Sequence, residues 1–120
     1  MLDKLLVQRL SVLAPHLYPL KAPKNYTQPA VIYNCLNVSP IDSLARGVPD
    51  CAYSIYQIDV YDESYLAAYE LATRIRDNLV AWSDANVQAV TWTGTSQTID
   101  DTTEVALFRS MSTFLVFANV

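Results

Sequence analysis

The stretch from Tyr53 to Trp82 changes its hydrophobic period once, abruptly, and that change restricts the fold more than any other feature of the chain. Across Tyr56-Gln57-Ile58-Asp59-Val60-Tyr61, the residues Tyr56, Ile58 and Val60 point one way and Gln57 and Asp59 the other. That is the period-2 mark of a half-buried strand. From Ala68 the spacing turns helical. Ala68, Leu71, Ala72, Ile75, Leu79 and Trp82 form one apolar stripe, with Arg74, Arg76, Asp77 and Asn78 off it. The switch falls at Asp62-Glu63-Ser64, where Asp62 or Ser64 can cap the first turn and acids suit the positive end of the helix dipole. A strand that runs directly into a helix places that helix across the strand's own sheet.

The rest of the chain follows the same logic. Leu2, Leu5, Leu6, Leu10 and Leu13 make the apolar face of a short opening helix, with Lys4, Gln8 and Arg9 mostly outside, and Pro15 ends it. Pro15, Pro19, Pro23 and Pro29 make residues 14–29 an extended connector, in which the Leu17-Tyr18 pair is expected to pack. Ala30 to Leu36 alternates as a first strand, residues 37–50 read as a long loop, and residues 51–61 return antiparallel. After the main helix come a third strand over 86–93, an exposed polar hairpin loop over 94–104, and a last strand over 105–119 with apolar residues on both faces. The predicted order is α-β-β-α-β-β. It describes one α+β domain over residues 1–120, a four-stranded, mostly antiparallel sheet with both helices on one face.

Composition removes several function classes. Two glycines cannot build a phosphate-cradling loop. One histidine (His16, in the proline connector) and two cysteines do not make a metal set, and Asp100 to Glu104 lacks the oxygen spacing and central glycine of a calcium loop. Cys35 and Cys51 read as small buried residues and not as a bridge. No nucleophile has a base beside it, so no enzyme and no cofactor are expected. The net charge is −4, unevenly spread. Residues 1–41 carry four bases against Asp3 alone, whereas residues 42–120 carry four bases and eleven acids; from Asp77 to Phe108 there are five acids and no base. A nucleic-acid clamp needs the opposite pattern. The opening residues do not read as a signal peptide, and no apolar run approaches the ~18 residues of a membrane span.

What remains is interaction. Asp59 lies on the polar side of its strand and is expected to be an exposed or interface acid. With Tyr56, Ile58 and Val60 turned to the helices, Ile55, Gln57, Asp59 and Tyr61 look out from the other sheet face, a mixture suited to a subunit contact.

Several segments, in order, resemble the tail terminator (tail completion) proteins of long-tailed bacteriophages and prophages. They are the opening helix, Leu17-Tyr18-Pro19, Pro29-Ala30-Val31-Ile32-Tyr33, Tyr56 to Tyr61, Tyr65-Leu66-Ala67-Ala68-Tyr69, Arg76-Asp77-Asn78-Leu79, and a last strand approached through Asp100-Asp101. The resemblance spans nearly the whole chain, although the loop around Gly47 departs from it. It implies a ring, usually of six subunits, that caps the tail tube, stops its polymerisation and offers a surface to the head-side connector or stopper protein. DNA would pass through without sequence-specific binding. The site would be the host cytoplasm during assembly and then the head-proximal end of the tail. The loops 37–50, with Arg46, and 94–104, with Asp100, Asp101 and Glu104, would then reach neighbours or the tube. Another neck protein (head completion or stopper) is the alternative, and a cytoplasmic ligand-binding domain the more distant one.

Overall fold

The computed structural model describes residues 2–24, 26–41, 51–100 (the side chain of Asp100 excepted) and 106–119. Helix α1 (Leu2–Leu10) leads to a short strand β1 (Leu17–Pro19), then β2 (Ala30–Ile41) and β3 (Cys51–Asp62). Helix α2 (Tyr65–Val80) and strands β4 (Val87–Asp100) and β5 (Leu107–Asn119) complete the chain. The sheet order is β1-β2-β3-β5-β4, antiparallel throughout except for the β1–β2 pair.

The architecture is α+β with both helices on one face, as expected, but the sheet has five strands where four were expected. The extra strand is Leu17-Tyr18-Pro19, which pairs in parallel with Val31, Ile32 and Tyr33. It is too short to show a period, and Pro19 is tolerated because an edge strand leaves one side of its backbone unpaired. The packing expected of Leu17 is present, since it lies against the core.

The strand–helix switch works as its composition dictates. Ser64 is the N-cap of α2: its Oγ accepts from Ala67 N at 3.2 Å, while Asp62 Oδ1 accepts from Ser64 N at 2.9 Å. Such a cap contributes about 1 kcal/mol. The expected stripe is the buried one, with Ala68, Leu71, Ala72, Ile75 and Leu79 against the sheet. They meet Tyr56, Ile58 and Val60 of β3 and Phe114 and Val116 of β5, and Leu6 and Leu10 of α1 join the same core. Arg9, expected outside, instead joins the helices. It donates from Nη2 to Asn78 O at 3.0 Å and lies over the Trp82 ring at 5.2 Å. A cation is thus brought to the negative end of α2, whose own last turn holds no base.

The link from α2 to β4 is organised by Asp84. Its Oδ1 accepts from Asn86 N (2.8 Å) and Val87 N (2.9 Å), and its Oδ2 accepts from Trp82 Nε1 (2.9 Å). The Val87 amide, then Trp82, then Asn86 hold the carboxyl below its usual pKa, against a smaller opposing effect of burial. A depressed folded-state pKa stabilises the fold above the unfolded value of about 3.9, and the gain is lost as pH falls toward the folded value. The wild type should therefore melt above Asp84→Asn near neutral pH, with the gap closing only below about pH 4. Thermal melts of both proteins across that range test this, and a gap that ignores pH would reject it.

Two segments expected to be loops are strands. Residues 37–41 continue β2 against Ala52 to Ile55 and Cys51, and residues 94–100 continue β4 against β5. The polar run Gly94 to Asp100 had suggested a hairpin loop because it lacks an apolar side. An edge strand that the helices leave exposed needs none, because its pairing comes from the backbone. Polar side chains reinforce that pairing. Thr95 Oγ1 and Ser112 Oγ share a hydrogen bond at 2.9 Å, Gln97 Nε2 donates to Ser110 Oγ at 3.0 Å, and Thr93 Oγ1 donates to Thr113 O at 3.0 Å. Thr93 is the extra residue of a bulge, and Gly94 beside it takes a positive φ of 155°. A side chain would be strained there, although nothing crowds the position.

Candidate functional site

The helix-free face of the sheet is built from alternate residues of its two central strands. Register places Tyr61 beside Arg109, Asp59 beside Met111, Gln57 beside Thr113, Ile55 beside Leu115 and Tyr53 beside Phe117. All four residues expected on this face, Ile55, Gln57, Asp59 and Tyr61, are therefore brought together.

The face has two halves of different character. At one end Tyr53 stacks on Phe117, with ring centroids 4.9 Å apart at 25°, beside half-buried Ile55 and Leu115. At the other end the polar groups pair with one another around Asp59, although the buried Arg109 Nε has no hydrogen-bond partner among the described residues. Arg109 Nη2 donates to Asp59 Oδ2 at 2.8 Å, Gln57 Nε2 donates to Asp59 Oδ1 and Oδ2 at 3.2 and 3.1 Å, and the Arg109 guanidinium lies 5.7 Å from the centre of the Tyr61 ring. Asp59 is only 6% exposed, so of the exposed or interface acid expected, the exposed alternative is corrected. Its carboxylate is matched within the chain by Arg109 and Gln57. Arg109 was not singled out from the sequence. The signal was there in principle, as a lone base among apolar residues on the outward side of the last strand.

Of the loop acids and the loop base, Arg46, Asp101 and Glu104 lie outside the described residues. Asp100 closes β4 opposite Leu107. Cys35 and Cys51 are free thiols. They occupy neighbouring strands, but Cys35 pairs with Tyr56 and Cys51 with Ile41, so they stand far apart along the sheet.

The sheet also ends in two long free edges. Beyond β1, residues 34–41 of β2 have β3 on one side and no strand on the other among the described residues, and the outer side of β4 is likewise open. The helix-side face of β4 is also incompletely covered. Trp92 is 42% exposed, held by Arg76 at 4.9 Å from its ring centre and by Nε1 donating to Thr95 Oγ1 at 2.9 Å. A cleft of about 220 Å³ separates α2 from this strand, bordered by Tyr69, Arg76, Trp92 and Gln97. Among the described residues, no three histidine, cysteine or acidic side chains converge to hold a metal ion. No described helix is long and apolar enough to cross a membrane. The arrangement can bury surface and extend a sheet.

Comparison with known proteins gives a structural likeness. No family model and no curated protein matches the chain. Among solved structures, the chain is similar to one chain of the "Virion of native gene transfer agent (GTA) particle", with a TM-score of 0.72 and 15% identity over 96% of this chain and 92% of that one. A likeness at that identity establishes a shared fold across nearly the full length of both.

Proposed function

We propose that the protein is a structural virion protein of the tail-terminator type. It forms a ring of identical copies, six by the sequence resemblance, on the end of a phage tail tube, ends tube polymerisation and presents a surface to the head-side connector. The observation that carries this reading is the fold shared with a chain of a gene transfer agent virion over 96% of this chain and 92% of that one. The ordered segments that resemble tail terminators support a role at the tail end. The role is architectural and calls on no catalytic residue or cofactor. Its partners are further copies of itself, the tail tube protein and the connector. The chain's acidic balance suits a passage that does not retain DNA.

The test is deletion of the gene, followed by negative-stain electron microscopy of the particles. Overlong tubes without heads are the expected result, because an uncapped tube continues to grow. Tails of normal length that fail to join heads would replace this reading with that of a head-completion or stopper protein. Unchanged particles would reject both.

A further inference from the structure

We infer that neighbouring copies join edge to edge, with residues 37–39 of β2 in one copy pairing antiparallel with residues 89–91 of β4 in the next, so that the sheet runs unbroken across each seam. This rests on the ring reading above and adds the surface by which the ring would close.

Free edges invite another strand, and proteins that stay monomeric blunt them with charges or proline. Here β4 carries no charged residue and no proline from Val87 to Ile99. Residues 34–41 of β2 carry no charge and a single proline, Pro40. The two edges also match in height. Across the sheet, Asn37 aligns with Ile55, Leu115 and Thr91, and Ser39 aligns with Tyr53, Phe117 and Ala89. A pure rotation from one copy to the next therefore brings Asn37 opposite Thr91 and Ser39 opposite Ala89. The strand directions alternate from β2 through β3 and β5 to β4, so the new pair is antiparallel. Bulges at Leu36 and Thr93 bound the straight part of the seam at one end, and Pro40, lacking an N–H, bounds it at the other.

Exposed apolar surface favours the same arrangement. Val38 is 54% exposed in the single chain and shares a row with Val90, so pairing would cover it. The aligned rows put the two edges at one level, and a level contact closes into a ring where a stepped one would grow into a filament.

The experiment places Asn37→Cys and Thr91→Cys together in a chain carrying Cys35→Ser and Cys51→Ser. Directly opposed antiparallel residues stand within disulfide reach. Mild oxidation should give a ladder of covalent oligomers that ends at one closed species. A second variant, Thr91→Lys, puts a charge on an exposed edge position. It should raise the dissociation constant of assembly about tenfold or more, measured by light scattering, with an unchanged melt. If the wild type assembles but no ladder forms and Thr91→Lys assembles equally well, the seam is wrong and the ring stands. If the wild type never self-associates, free or on isolated tail tubes, ring and seam fall together.

Discussion

Phe114→Ala is expected to cost about 3–5 kcal/mol, the largest loss from any single truncation in this fold. Phe114 is fully buried at the centre of β5, in the row that runs Cys35, Tyr56, Phe114, Trp92. It belongs to the one core that also holds Leu10 of α1 and Leu71 and Ile75 of α2. Removing it leaves a cavity that three elements would have to collapse together to fill, and a sheet pinned on both sides of β5 cannot do so freely. Against a total stability of about 5–15 kcal/mol, this is enough to populate the unfolded state. Urea unfolding followed by circular dichroism measures it directly. Phe117→Ala is the internal comparison, because the same ring on the other face of the same strand is half-buried and meets Tyr53 alone among aromatic partners. It should cost distinctly less. Equal losses would mean that the helix side is not the principal core.

The helix-side core could be read from the chain because its two periods are clean. Every residue of the α2 stripe from Ala68 to Leu79 is buried, and Tyr56, Ile58 and Val60 face it. Where pattern and burial separate, the sequence misled. The second half of β4 is largely polar and exposed on both faces, because α2 only borders it across an open cleft, so alternation has nothing to mark there. Residues 36–41 of β2 extend past the helices and are exposed on both faces for the same reason. β1 rests on three residues whose only regularity is a partner far along the chain. The partners of Arg9 and Arg109 could not be read from the chain, since each acts on a group that folding alone brings near it, the Asn78 carbonyl and the Asp59 carboxylate. The outward face of β3 was legible as a set of residues. Its internal pairing was not, because a polar residue on an alternating strand says which side it occupies and nothing of what stands beside it. Free edges are harder still, being properties of strand order in the sheet, which the order of elements along the chain leaves open.

Arg109→Met is the second large effect, about 2–4 kcal/mol. The arginine carries the charge that offsets Asp59, whose side chain is 8% exposed while that of Arg109 keeps 31%. A fully buried pair broken on one side costs more, and the residual exposure of Arg109 places this one at the lower end of that class. The loss comes from the stranded carboxylate, left with Gln57 as its remaining side-chain donor, and not from the missing guanidinium itself. That distinction has a consequence. Asp59→Asn in the Arg109→Met background removes the stranded charge and should restore a large part of the lost stability, although it adds a second substitution. Methionine approximates the aliphatic length of the arginine stem, so packing over Met111 and Tyr61 is largely conserved and the comparison isolates charge. The four proteins of the cycle, unfolded in urea at neutral pH, give the coupling energy between the two sites. Additive losses, with the double variant weaker than Arg109→Met alone, would show that Asp59 is stabilised without Arg109. They would reopen the reading of this acid as a group held for a partner subunit.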